Sequence, residues 1–130
     1  MSSTIPILEI DNLLVVSIQV ELDDKTALQL QHDLAAKLNE SGSAGIVLDF
    51  TAVDVVDSFI AKVVGEMAGI TKLMGSDMVV SGLTPQVALT LVDLGIDLGG
   101  VTTALNLQKG IDALRKKGLA NDRKKETNPS

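Results

Sequence analysis

The feature that most restricts the fold of this 130-residue chain is a short apolar run at residues 46–50, Ile-Val-Leu-Asp-Phe. A strand with one solvated face carries a polar residue at about every second position, whereas Asp49 is the one polar residue of this run. We therefore expect a central strand that is buried on both faces beneath helices.

Strands and helices alternate along the rest of the chain, after a leading hairpin that turns at Asp11-Asn12. Further apolar runs predict strands at residues 5–10, 13–20, 78–83 and 101–104. Capping residues and helical spacing predict helices at about 23–39, 58–74, 85–94 and 107–117, the last ending at Gly118. This order predicts an α/β domain with a mixed β-sheet of about five strands and about four helices mainly on one face. We assign the domain to residues 1–118 and interpret residues 119–130 as a disordered basic tail.

Apolar residues at helical spacing also predict which side chains face the core. In order along the first three helices, these are Ala27, Leu30, Leu34 and Leu38; Ile60, Val63, Val64, Met67 and Ile70 or Thr71; and Val87, Ala88, Leu91 and Val92.

Composition excludes several classes of function. The chain has no cysteine, so thiol catalysis and cysteine-ligated metals are excluded, and two aromatic residues offer little for base stacking. Residues 1–108 hold 14 acidic and four basic residues, a net charge of −10 that disfavours binding to nucleic acid. The phosphate-binding and nucleophile-elbow motifs are absent, and His32, the one histidine, is predicted to be solvated. Because these motifs are missing, we expect a non-catalytic protein without cofactors. We expect it to be cytoplasmic, since it has no cysteine, no apolar stretch reaches membrane-spanning length and the first residues lack signal-peptide features.

Polar residues are concentrated in residues 49–58, which follow the central strand and contain Asp49, Thr51, Asp54, Asp57 and Ser58. Ligand and partner sites in open α/β sheets lie beyond the carboxyl ends of the strands, so this segment is the predicted site. Two interpretations of Ser58 stay open: a helix cap that contributes about 1 kcal/mol, or an acceptor whose phosphate would meet a helix N-terminus beside Asp54 and Asp57. A magnesium site for aspartyl phosphorylation is less well supported, because the Asp-x-Asp spacing is missing.

The sequence Asp-Ser-Phe-Ile-Ala-Lys-Val at residues 57–63, with the order β-β-α-β-α, resembles the STAS family over about residues 5–117. Residues 22–29, 71–75 and 90–96 also resemble that family, and in particular its RsbS-type stressosome branch. Simpler anti-sigma factor antagonists carry a glycine-containing run after Asp-Ser, where this chain has Phe59-Ile60-Ala61.

The resemblance implies a STAS fold, with Ser58 as phosphoacceptor and Asp57, Phe59, Lys62 and, more weakly, Asp54 at the contact with a kinase. It also implies a scaffold that assembles into large particles with RsbR-type sensor proteins. Such a scaffold holds an RsbT-type serine kinase until stress, and an RsbX-type phosphatase resets it. The alternatives are a stand-alone anti-sigma factor antagonist and a small magnesium-dependent phosphotransfer enzyme.

Overall fold

The computed structural model describes residues 5–19, 22–95 and 101–126. Its strands, in chain order, are β1 (Ile7–Ile10), β2 (Leu13–Ser17), β3 (Gly45–Asp49), β4 (Asp77–Ser81) and β5 (Thr102–Ala104). Its helices are α1 (Asp24–Ser41), α2 (Ser58–Leu73), α3 (Pro85–Asp93) and α4 (Leu107–Glu126).

The five strands form one mixed sheet in the order β1-β2-β3-β4-β5. β1 is antiparallel to β2, whereas β2, β3, β4 and β5 are parallel to one another. All five residues of β3 are buried, which confirms the expectation from its sequence. The carboxyl ends of the parallel strands meet at one end of the sheet, here named the carboxyl end; the opposite end is named the amino end.

Helices cover the two faces of the sheet unequally. The helices α1, α2 and α3 pack on one face, where Leu48 of β3 lies in the main apolar core. On the other face α4 packs through Ile111 and Leu114 onto a smaller cluster that includes Val47 of β3. Adjacent residues of β3 therefore point into two different cores, which explains why the strand has no solvated face.

The predicted inward faces of α1 and α2 are confirmed, with Thr71 as the buried residue at the end of the α2 stripe. In α3, Val87 and Leu91 are buried and Ala88 is half-buried, but Val92 is 75% exposed, so its assignment to the core was wrong. Val92 follows Leu91 by about 100° around the helix axis, which carries it away from the sheet.

The predicted end of α4 at Gly118 was also wrong, because the helical backbone continues to Glu126. A glycine costs a helix about 1 kcal/mol relative to alanine and does not by itself end it. The domain boundary after residue 118 and the disordered tail remain predictions, since terminal helical turns fray in solution. Within the described ranges, no helix is long and apolar enough to cross a membrane.

Candidate phosphoacceptor site

The loop between β3 and α2 crosses the carboxyl end of the sheet and is held there by backbone and apolar contacts. The Phe50 N–H donates to the carbonyl oxygen of Ser81 at 2.8 Å, and the Val53 N–H donates to the carbonyl oxygen of Phe50 at 2.9 Å. Val53 and Val56 are buried, whereas Val55 between them is 77% exposed. The loop is thus anchored before it delivers the chain to α2.

Asp57, not Ser58, caps the N-terminus of α2. Asp57 has an extended backbone, and its Oδ1 accepts a hydrogen bond from the Ile60 N–H at 2.8 Å. Ser58 is the first residue of the helix and is exposed. Among the described residues, the Ser58 hydroxyl has no hydrogen-bond partner. The interpretation of Ser58 as a cap was therefore wrong, and its hydroxyl is accessible to solvent.

The other predicted contact residues surround Ser58 unequally. Asp54 and Asp57 are exposed on its N-terminal side, and Lys62 is exposed one helical turn further along α2. Phe59 is half-buried and packs against the main core, so part of its ring is unavailable to a partner. The structure brings the five residues to one region, and their contacts with a partner remain predictions.

An apolar cavity of about 310 Å³ lies beside the first turn of α2. Its lining residues are Ile18, Leu22, Phe50, Val53, Val55, Asp57 and Ile60. Among the described lining residues, Asp57 is the one charged group. Sequence reasoning missed the cavity, although a loop with three valines at positions 53, 55 and 56 is unusually apolar for a solvated segment.

Asp49 has a different structural role from Asp54 and Asp57, which are exposed. Its side chain is buried, and Oδ1 accepts hydrogen bonds from Ser81 Oγ at 2.7 Å and Thr51 Oγ1 at 3.0 Å. In the described part of the chain, no three acidic or histidine side chains are grouped as a metal site would require. The arrangement gives no support to the magnesium alternative. His32 is exposed on α1, as predicted.

Three helices begin at the carboxyl end with side-chain caps. Asp23 accepts from the Thr26 N–H at 2.7 Å, and Thr84 accepts from the Val87 N–H at 3.2 Å, in the same way that Asp57 caps α2. The hydrogen bonds from the backbone and side chain of Thr26 hold the pKa of Asp23 below its usual value. Unpaired N–H groups and helix dipoles make this end favourable for anions.

The fold agrees with comparisons with known proteins. Residues 4–119 match the STAS domain. The chain belongs to the STAS domain family. The structure of this STAS protein is similar to that of Moorella thermoacetica RsbS S58E, with a TM-score of 0.81 and 38% identity over 88% of this chain and 97% of that one. A structure described as the molecular architecture of the stressosome matches with a TM-score of 0.76 and 37% identity, covering 87% and 98% of the two chains. The predicted resemblance to the STAS family and to RsbS is confirmed.

Among curated proteins, this STAS protein is 33% identical over 107 residues to the RsbT co-antagonist protein RsbRA of Bacillus subtilis (strain 168). It is 30% identical over 115 residues to RsbRD of the same organism. The matches cover 82% and 88% of this chain but 38% and 40% of those relatives. SpoIIAA, an anti-sigma factor antagonist, has the same fold, with a TM-score of 0.68. At 13% identity, this similarity is evidence for a shared fold and not for a shared function.

Proposed function

We propose that this STAS protein is a non-catalytic stressosome scaffold and antagonist that holds an RsbT-type serine kinase and releases it when Ser58 is phosphorylated. The observation that carries the proposal is the position of Ser58: exposed, first in α2, and relieved of capping by Asp57. A hydroxyl in that position can receive a phosphoryl group without loss of a structural hydrogen bond.

The relatives favour a stressosome role over the alternatives. Identity reaches 37–38% with RsbS and stressosome structures and 33% with an RsbT co-antagonist, against 13% with SpoIIAA. On this basis the proposed partners are RsbR-type sensor proteins, an RsbT-type kinase, an RsbX-type phosphatase and further copies of this chain. The proposed location is the cytoplasm.

Phosphorylation would change the surface more than the fold. The Ser58 oxygen would bond to the γ-phosphorus of ATP as the bond to ADP breaks, with the hydroxyl proton passing to a base on the kinase. The product adds about −1.5 to −2 charges beside Asp54 and Asp57, while the N-terminus of α2 stabilises the new anion. The Moorella variant named S58E keeps the shared fold, which supports tolerance of an added acid.

The surroundings of Ser58 offer a bound kinase two kinds of contact. The cavity beside Asp57 can accept an apolar side chain, and exposed Asp54 and Asp57 attract basic residues. The kinase carries its nucleotide phosphates to the same place, so the anionic product repels them. Release after phosphoryl transfer follows from this repulsion.

The charge switch is tested by kinase binding to Ser58→Asp, with Gln86→Glu as matched control. Gln86 is also exposed in the first turn of a helix at the carboxyl end, but in α3 and not in α2. We expect titration calorimetry to show at least about tenfold weaker binding for Ser58→Asp, equivalent to about 1.4 kcal/mol, and little change for Gln86→Glu. Equal binding by both variants and the wild type would contradict the switch.

Two further measurements separate the functional alternatives. Mass spectrometry of protein from stressed and unstressed cells should detect phosphate on Ser58 after stress. Light scattering of the chain mixed with an RsbR-type protein should show megadalton particles for a scaffold. Small complexes that bind an anti-sigma factor would instead identify a stand-alone antagonist.

A further inference from the structure

We infer that Asp49 is a positioning residue that fastens the start of the phosphoacceptor loop to β4 and thereby fixes how Ser58 is presented to the kinase. The inference rests on the proposed function and adds a buried group to it. Asp49, Thr51 and Ser81 are together named the Asp49 network.

Two hydrogen bonds join the end of β3 to the end of β4. Ser81 is fully buried, and its Oγ donates to Asp49 Oδ1 at 2.7 Å. One residue further on, the Phe50 N–H donates to the carbonyl oxygen of Ser81 at 2.8 Å. The first residue of the loop therefore leaves the sheet in a fixed direction.

Thr51 ties the first turn of the loop to the same carboxylate. Its Oγ1 donates to Asp49 Oδ1 at 3.0 Å while the residue itself is exposed. Gly82 follows Ser81 with a φ of +71°, and a Cβ at this position would overlap Thr51 Oγ1 and lie 2.9 Å from the Thr51 nitrogen. The turn thus rests directly on the backbone of residue 82.

Ser58 is held from both directions. The Asp49 network fixes the entry of the loop, buried Val53 and Val56 fix its middle, and the Asp57 cap fixes its exit into α2. Hydroxyl bonds to a carboxylate are stronger than bonds between neutral groups, and burial strengthens them further. Loss of one such bond should allow the loop to populate other conformations without unfolding the sheet.

A loop that samples several conformations should weaken binding of the kinase more than it slows phosphoryl transfer. A kinase that binds one loop conformation has its apparent affinity reduced by the fraction of molecules in that conformation. KM for phosphorylation of Ser58 should therefore rise, while kcat should change little. No residue of the Asp49 network is expected to touch the transferred phosphoryl group.

Ser81→Ala and Ser76→Ala form a matched pair for the test. Ser76 is also buried, and its Oγ donates at 2.7 Å to the Ser43 carbonyl oxygen, but at the amino end of the sheet. Amide hydrogen exchange should become about tenfold faster at Phe50 and Val53, whose N–H groups are hydrogen-bonded, in Ser81→Ala and remain unchanged there in Ser76→Ala. Equal exchange of the loop in both variants would overturn the inference.

Three other variants guard against a general loss of stability. Thr51→Val removes one donor at an exposed position and should accelerate exchange of the same residues. Asp49→Asn keeps an acceptor oxygen and should disturb the loop less than Asp49→Ala. No difference between the two substitutions of Asp49 would contradict a role for its hydrogen bonds.

Kinetics with an RsbT-type kinase complete the test. KM should rise about tenfold in Ser81→Ala, as the loss of one strong hydrogen bond allows, and stay near the wild-type value in Ser76→Ala. A wild-type chain that is not phosphorylated on Ser58 would reject the proposed function, and hydrogen exchange would still decide whether the Asp49 network holds the loop.

Discussion

The two ends of the sheet are fastened by different kinds of polar interaction. At the amino end, α4 is tied down by exposed ion pairs: Arg115 with Asp11 at 2.5 Å and Lys117 with Asp77 at 2.8 Å. At the carboxyl end, Asp49 holds Ser81 in the interior. Solvated ion pairs contribute little and are screened by salt, whereas buried bonds to a carboxylate hold one geometry. Among the described residues, the end with the candidate site is thus the one where a carboxylate accepts a buried hydrogen bond.

The two ends also differ in helix polarity. The N-termini of α1, α2 and α3 lie at the carboxyl end, with caps at Asp23, Asp57 and Thr84. Their last turns lie at the amino end, where Lys72 stands in the final turn of α2. Because helix N-termini favour anions, a phosphate on Ser58 suits the carboxyl end and would have no such support at the other.

The largest expected difference comes from substituting one glycine at each end. Gly82 at the carboxyl end and Gly75 at the amino end both have positive φ, but a Cβ at Gly75 meets nothing within 4 Å. Gly75→Ala should cost about 1–2 kcal/mol for the backbone conformation, and Gly82→Ala a further 1–3 kcal/mol or so for overlap with Thr51. Urea unfolding measures the free energy of unfolding of both variants. Equal losses of stability would show that Thr51 can move away from the added methyl group at little cost.

Removal of the α2 cap should have an intermediate effect. Asp57→Ala should lower the free energy of unfolding by about 1 kcal/mol, because the Ile60 N–H loses its partner. Asp57→Asn keeps a capping oxygen and should restore most of the stability. Thermal unfolding of the two variants checks this, and identical melting temperatures would contradict capping by Asp57.

The ion pairs of the amino end should contribute least among these contacts. Arg115→Gln and Lys117→Gln should each lower stability by less than about 1 kcal/mol, because their side chains are 48% and 54% exposed. Raising the salt concentration should reduce the difference from the wild type, as Debye screening requires. If either substitution lowered the free energy of unfolding by more than 2 kcal/mol or so, the ion pairs of the amino end would stabilise the fold as strongly as buried hydrogen bonds do, and the contrast between the two ends would be wrong.

The sequence predicted the parts of the fold that depend on local pattern. The burial of β3 follows from the run at residues 46–50, and the α1 stripe follows from apolar spacing. The exposed side of α3 was not predictable at the same level, because a nine-residue helix offers few periods to define its face. Exposed Val92 is the result.

The site was predicted as a region but not as a geometry. Asp57 and Ser58 are both good capping residues, so a shift of one residue decides which caps α2, and the sequence pattern does not fix that shift.

Asp49 and Ser81 are 32 residues apart and meet because the register of β3 and β4 places them side by side. Register depends on packing of the whole sheet, which local pattern does not specify.

The smallest effect concerns pH and the cap of α1. Hydrogen bonds from Thr26 lower the pKa of Asp23 in the folded chain below its ordinary value of 3.8. The carboxylate therefore stabilises the fold fully above 3.8, and this contribution disappears as pH falls through the lower, folded-state pKa. Asp23→Asn keeps a capping oxygen that does not titrate, so its unfolding free energy should fall less steeply on acidification. Urea unfolding from pH 6 to pH 2 or so measures the two slopes. Parallel slopes would mean that Asp23 binds its proton equally well in the folded and unfolded chain, and that the anion preference of the carboxyl end does not extend to α1.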